Sequence, residues 1–105
     1  MNGTVDSAFE QLVQPFLAAH PELRCEWRAV RSRLAGDRRD LVCAEGTSRE
    51  VFATLQPSAA VIGTPDFHED YQDFGIGQSD AELAREAFER FVELLRERGH
   101  LDQAL

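Results

Sequence analysis

Four short segments between residues 23 and 62 carry alternating or clustered apolar side chains, and only a few residues separate each from the next. The segments are Leu23 to Leu34, Leu41 to Ala44, Val51 to Leu55 and Ala59 to Ile62. Alternation with a period of two is typical of strands that are buried on one side. A parallel crossover needs about a dozen residues or more, which these connections do not have. The spacing therefore predicts a four-stranded antiparallel meander.

Segments with helical periodicity lie on both sides of this predicted sheet. From Ser7 to Ala19 apolar residues recur at i, i+3 and i+4, and Pro15 inside the pattern predicts one kinked helix. A second helix begins after the capping residue Ser79 and ends before Gly99. Two amphipathic helices and a half-buried sheet bury one another most simply as two layers. We predict one α+β domain over residues 1–105, a two-layer sandwich of order α-β-β-β-β-α with both helices on one face.

The apolar stripes of the two helices define the predicted core. A chain of 105 residues can build one hydrophobic core but is too short for two independent ones. The helix residues expected in this core are Phe9, Leu12, Phe16, Phe88, Phe91 and Leu95.

The net charge of −8 is concentrated in one third of the chain. Residues 50–84 contain seven acidic residues and no arginine, and the chain contains no lysine. An excess of negative charge repels phosphate backbones and anionic lipids. We therefore expect neither nucleic acid nor a membrane as the partner. The same charge would attract a protein with a basic surface, although it also serves solubility alone in many small proteins.

An acidic and aromatic segment occupies the centre of a predicted loop from residue 63 to residue 78. Aromatic side chains anchor interfaces, and carboxylates steer association. The predicted partner-binding residues are Asp66, His68, Glu69, Asp70, Tyr71 and Asp73. The alternative is that Phe67 and Phe74 pack into the core beneath the loop and leave the acids solvated. Both can hold together, with Phe74 buried and Tyr71 exposed.

The residue types that catalysis or metal binding requires are not clustered in the sequence. The carboxylates and the histidine of the predicted loop lack the glycine and the terminal glutamate of a calcium loop at the expected offsets. Neither Cys25 nor Cys43 has a histidine near it in sequence, so we expect two buried, inert thiols rather than a nucleophile. The sequence thus predicts no enzyme activity, no metal and no cofactor.

The composition also predicts a cellular location. The first residues, Met1 to Asp6, have neither a basic region nor an apolar stretch, so we do not expect a secretory signal. No segment approaches the roughly 20 apolar residues that span a bilayer. Two cysteines do not make a disulfide framework, and we expect the reducing cytoplasm.

The C-terminal part of the chain resembles a known class of proteins. The acidic segment ending in Asp73-Phe74-Gly75, and the helix that opens at Ser79-Asp80 and closes before Gly99, are similar to the small acidic immunity proteins of bacterial polymorphic-toxin and contact-dependent inhibition systems. The resemblance covers residues 66–101. It implies a cytoplasmic protein that binds one cognate toxin domain with a basic surface and neutralises it.

A second resemblance leads to a different function. Small acidic α+β proteins with a helix, a meander and a long C-terminal helix are also similar to the homodimeric chaperones of type III secretion. Such a chaperone would be a stable dimer that binds an extended effector segment. For an immunity protein we expect a monomer or a weak homodimer, so the oligomeric state separates the two hypotheses.

Overall fold

The structure, a computed structural model, describes residues 4–30 and 38–101. In chain order its regular elements are α1 (Val5–Ala19), β1 (Cys25–Val30), β2 (Arg38–Cys43), β3 (Val51–Gln56), β4 (Ala59–Thr64), β5 (Phe67–Gln72) and α2 (Asp80–Glu97). The strands form one sheet in the order β1-β2-β3-β4-β5, and all neighbours are antiparallel. Both helices pack on the same face of this sheet. The predicted α+β class, with two helices and an antiparallel sheet, is confirmed.

The predicted order α-β-β-β-β-α is wrong by one strand. The segment predicted as a loop from 63 to 78 contains β5, so the order is α-β-β-β-β-β-α. A two-residue turn connects Thr64 to Phe67, which pair directly across β4 and β5. Acidic residues are uncommon in strands, and they hide the alternation of β5 in the sequence. An edge strand tolerates them, because one of its sides faces solvent.

The first strand also differs from its predicted extent. β1 begins at Cys25 rather than Leu23, and its register with β2 continues without interruption to Val30. The rest of the predicted strand, residues 31–34, lies outside the described residues.

α1 begins earlier than the sequence pattern indicates. Its N-cap is Thr4, whose Oγ1 accepts a hydrogen bond from the backbone N–H of Ser7 at 3.4 Å. The hydroxyl of Ser7 accepts one in return from the backbone N–H of Thr4 at 3.0 Å. The helix continues through Pro15, which is exposed. The carbonyl that Pro15 leaves unpaired can therefore bond to water, and one helix is retained as predicted.

Both predicted ends of α2 are confirmed. Ser79 is the N-cap, and its hydroxyl accepts from the backbone N–H of Glu82 at 3.1 Å. At the other end Gly99 has φ +79°, a conformation that glycine adopts without steric cost. The backbone N–H of His100 then reaches the carbonyl of Leu95 at 2.8 Å, which is the Schellman arrangement.

The core lies between the helices and the inward face of the sheet. Phe9, Phe91 and Leu95 are fully buried, as predicted, and the rings of Phe9 and Phe91 meet edge to face at 5.9 Å. Phe16 and Phe88 are only partly buried. The prediction for Leu12 is wrong, because this side chain is 38% exposed on the outer surface of α1. The apolar stripe of α1 is wider than the part of the helix surface that packs against the sheet.

Cys25 and Cys43 form a disulfide, so the prediction of two separate inert thiols is wrong. The two residues lie directly opposite each other in the β1–β2 register. β1 lies at the margin of the sheet, beyond the strands that carry the helices. Besides the β1–β2 ladder, the disulfide and the stacking of Arg39 on Trp27, at 5.1 Å from Cζ to the ring centroid, connect β1 to the rest of the domain.

We predict that Phe91→Ala lowers the free energy of unfolding by about 3–5 kcal/mol, because it leaves a cavity in the centre of the core. Urea denaturation measures the change. Phe74→Ala is the matched control, since Phe74 is 73% exposed and the same truncation there should cost little. Equal losses in the two variants would contradict the assignment of Phe91 to the core.

We also predict that reduction of the Cys25–Cys43 bond lowers the free energy of unfolding by roughly 3 kcal/mol, because the bond closes a loop with a sequence separation of 18 residues. Denaturation curves with and without reductant measure the loss. The double variant Cys25→Ser/Cys43→Ser should be as unstable as the reduced protein and insensitive to reductant. A wild-type curve that reductant leaves unchanged would contradict the prediction.

Candidate functional site

β5 distributes the predicted partner-binding residues over two faces of the sheet. Side chains alternate along a strand, so Glu69 and Tyr71 point toward the helices, with Phe67, while His68 and Asp70 lie on the opposite, open face. Asp66 is in the turn before β5, and Asp73 is in the loop after it. The six residues therefore do not form one surface, which a loop would have allowed.

Glu69 and Tyr71 belong to a hydrogen-bonded network under α2. The guanidinium of Arg90 donates to Glu69 Oε1 at 2.9 Å, and the Tyr71 hydroxyl donates to Glu69 Oε2 at 3.2 Å. Arg90 also pairs with Glu93, and with Glu97 at 3.2 Å. Both oxygens of Glu69 are thus occupied within the protein. Glu69 and Tyr71 thus connect β5 to α2, and the side chain of Glu69 remains 42% exposed.

The environment of Tyr71 stabilises its protonated form. Burial, followed by the negative charge of Glu69 and the hydrogen bond to it, raises the pKa of Tyr71 from its ordinary value of 10.0 to about 12. The Tyr71 hydroxyl must stay neutral to donate to Glu69. The prediction that Tyr71 is exposed is wrong, because Tyr71 is partly buried and packs against the core.

Asp66 is tied to the end of α2. Arg98 pairs with Asp66 at 3.4 Å, and the same guanidinium donates to Thr64 Oγ1 at 3.1 Å and to the carbonyl of Ser48 at 3.0 Å. Arg98 thereby joins the end of α2 to two turns of the sheet. Asp66 takes part in this junction, although its side chain is largely exposed.

Asp73 organises the loop that follows β5. Its Oδ1 accepts hydrogen bonds from the backbone N–H groups of Gly75, Ile76 and Gly77 at 3.0, 2.9 and 3.1 Å. Gly75 and Gly77 have φ values of +97° and +82°, which other residues rarely adopt. Desolvation acts to raise the pKa of Asp73, but these N–H groups favour the charged form and lower the pKa overall. The loop is therefore ordered by its own backbone.

This loop exposes two large apolar side chains. Phe74 is 73% exposed and Ile76 is 76% exposed, the largest values among the exposed apolar residues of the described chain. The expectation that Phe74 packs into the core while Tyr71 is exposed is therefore reversed. The alternation of glycine with Phe74 and Ile76 after Asp73 was the available signal, because glycines with positive φ let an aspartate fold the backbone around its carboxylate.

His68 and Asp70 remain available on the open face of the sheet. Both are exposed, and so is Gln72 at the end of the strand. These three residues and the two apolar residues of the loop belong to one stretch of chain. We call His68, Asp70, Gln72, Phe74 and Ile76 the β5 edge surface, and it combines polar groups beside a free strand edge with two apolar anchors.

Other kinds of site have less support within residues 4–30 and 38–101. Across that part of the chain, no three side chains of His, Cys, Asp or Glu come together in a way that could hold a metal ion. Neither described helix is both long enough and apolar enough to cross a membrane. The depressions on the surface are shallow grooves, such as that lined by Ala8, Leu12 and Arg85 between the two helices.

Comparisons of the chain with protein-family models, with curated proteins and with solved structures gave no significant match. The site is accordingly interpreted from its own geometry.

We predict that the single tyrosine of the chain titrates with a midpoint near pH 12. Because the pKa in the folded state is raised above that of the unfolded chain, Tyr71 contributes to stability below about pH 10. That contribution is lost as the pH rises through 12. Absorbance at 295 nm follows the ionisation, and Glu69→Gln should lower the midpoint by removing the negative charge. A wild-type midpoint near 10 would contradict the buried position of Tyr71.

Proposed function

We propose that this protein binds another protein, one with a basic surface, and that the β5 edge surface makes the contact. The observation that carries the proposal is the ordered exposure of Phe74 and Ile76. A loop whose backbone is already ordered loses little backbone entropy on binding, and desolvated aromatic residues dominate binding energies. A loop without a binding role has no need to hold a phenylalanine and an isoleucine in water.

The charges around this surface support a basic partner. Arg90 and Arg98 balance Glu69 and Asp66 within the protein. Asp70 is exposed on β5, before the loop, and Asp80 and Glu82 follow the loop on the first turn of α2. The chain as a whole carries a net charge of −8. Complementary charge accelerates encounter and favours partners of the opposite sign. Neither nucleic acid nor an anionic membrane fits this charge.

We further propose that the partner is a cognate toxin domain, which this protein neutralises by covering a basic cleft or substrate-binding surface. The resemblance of residues 66–101 to bacterial immunity proteins supports this proposal, and so does a surface that offers binding without clustered catalytic groups. A binding protein of this kind needs no cofactor.

The disulfide bears on the compartment. Disulfides persist in oxidising compartments and are rare in the cytoplasm. In the cytoplasmic location that the sequence predicts, Cys25 and Cys43 would be a reduced pair that the β1–β2 ladder keeps in register. Binding through β5 does not depend on that bond, because β5 and β1 lie at opposite edges of the sheet.

The test uses the proteins encoded by the adjacent reading frames, co-expressed with this protein and then measured by binding kinetics. We predict that the double variant Phe74→Ala/Ile76→Ala raises the dissociation rate constant about 30-fold or more, as expected for an anchor worth about 2 kcal/mol. Asp70→Asn should mainly lower the association rate constant and flatten its dependence on salt. Leu12→Ala is the control, since it truncates an exposed apolar side chain on α1.

Two results would contradict the proposal. One is that the double variant binds and protects as well as the wild type while Leu12→Ala does not, which would move the interface to the helices. The other is a stable homodimer that binds an extended effector segment, which would favour the secretion chaperone. Light scattering coupled to size exclusion gives the oligomeric state.

A further inference from the structure

We propose that the free edge of β5 binds an extended, basic segment of the partner as a sixth strand of the sheet. This inference rests on the proposed function, because it specifies how the basic partner is held. It concerns the main chain of β5, whereas the apolar anchors described above act through side chains.

The main chain of β5 has an unpaired side. Within the described ranges the sheet ends at β5, and its six residues pair in continuous register with β4. In an antiparallel pair, alternate residues direct their N–H and C=O groups toward the neighbour. The two-residue turn makes Thr64 and Phe67 a hydrogen-bonded pair. Alternate residues, beginning with the one directly after Phe67, therefore direct their main-chain groups away from β4. The residues whose N–H and C=O groups face the free edge are His68, Asp70 and Gln72.

The charge of the strand disfavours a second copy of this chain as the occupant. Two antiparallel β5 strands paired through their centres would bring Glu69 near Glu69 of the second copy on one face and Asp70 near Asp70 on the other. Like charges opposite each other across strands are destabilising, and charged edge strands prevent self-association in this way.

The negative charge of β5 favours an added strand with basic side chains, and it does so on both faces of the sheet. On the open face an added strand would lie beside Asp70. On the helix face it would approach a group in which three carboxylates, of Glu69, Glu93 and Glu97, surround the single guanidinium of Arg90. Phe67, 39% exposed on that face, offers an apolar contact. Lysine or arginine at either set of alternate positions would therefore meet negative charge.

The opposite edge of the sheet lacks this selectivity. β1 and the residue before it carry both signs, with Arg24, Glu26 and Arg28 on the open face, and Arg28 pairs with Glu45. A charged segment of either sign would find repulsive groups there. Charge complementarity thus assigns the basic segment to β5.

The experiment titrates the full-length protein with a blocked seven-residue peptide that alternates lysine and threonine, and follows amide hydrogen exchange by NMR. We expect exchange to slow at least tenfold at His68, Asp70 and Gln72. Exchange at Glu69 and Tyr71 should stay unchanged, because their N–H groups already bond to β4. A peptide with glutamate in place of lysine should not bind. N-methylation of the lysine peptide at alternate residues should abolish the protection, because it removes the donors on one side of the added strand.

A matched pair of variants separates hydrogen bonding from charge. Asp70→Pro removes one N–H from the free edge and leaves the bonds to β4, so it should abolish the protection. Asp70→Asn keeps the N–H, so the protected pattern should remain with weaker binding at low salt. If Asp70→Pro does not fold, the N-methylated peptide gives the same comparison.

Lack of binding at millimolar peptide, or binding without selective protection of His68, Asp70 and Gln72, would overturn strand addition. The same exchange measurement with a partner from an adjacent reading frame distinguishes the two proposals. A partner that binds through Phe74 and Ile76 but leaves the three amides unprotected would refute strand addition alone. A lysine peptide that protects the amides, together with no neighbouring protein that binds, would count against the toxin partner alone.

Discussion

The two helices bury their apolar stripes on only one face of the sheet, and this constraint decides where every side chain of β5 lies. Because side chains alternate along a strand, the position of Phe67 toward the helices brings Glu69 and Tyr71 there as well. The Glu69 side chain there is partly buried, with 42% of its surface exposed. Arg90 on α2 pairs with this side chain, and Glu69 then accepts the hydrogen bond of Tyr71. This ion pair, together with the packing of Tyr71 against the core, connects β5 to α2.

The same constraint explains why the acidic segment is not one functional unit. A continuous run of aromatic and acidic residues looks like a binding loop when it is read along the chain. Once the run is a strand, Glu69 and Tyr71 contact α2 and the core, whereas His68, Asp70 and Gln72 are exposed beside the free edge. The apolar anchors, Phe74 and Ile76, come from the residues just beyond the strand.

Much of the architecture could be predicted from the sequence, because its determinants are local. The capping of α2 by Ser79, its end at Gly99 and the alternation in Val51–Leu55 each depend on neighbours within a few residues. β5 could not be recognised, because its acidic residues hide the alternation and the partner of Glu69, Arg90, lies 21 positions away along the chain.

Features that depend on which elements become neighbours could not be predicted from the sequence either. The disulfide required the exact register of β1 and β2, in which Cys25 faces Cys43. The exposure of Leu12 required knowledge of how far the sheet extends beneath α1. For the candidate site, the sequence indicated the stretch of chain that contains the exposed residues. Whether Tyr71 or Phe74 is the exposed aromatic residue depends on β5, which the sequence pattern did not predict.

In the loop after β5, the residues that order the backbone are different from those that expose apolar side chains. Asp73 holds the backbone of the loop through main-chain N–H groups, and Gly75 and Gly77 supply its unusual backbone angles. The side chains of Phe74 and Ile76 are mostly exposed, so the backbone of the loop does not depend on their packing. Substitutions at these two positions should therefore change what the loop presents to solvent, one residue at a time, while the fold stays stable.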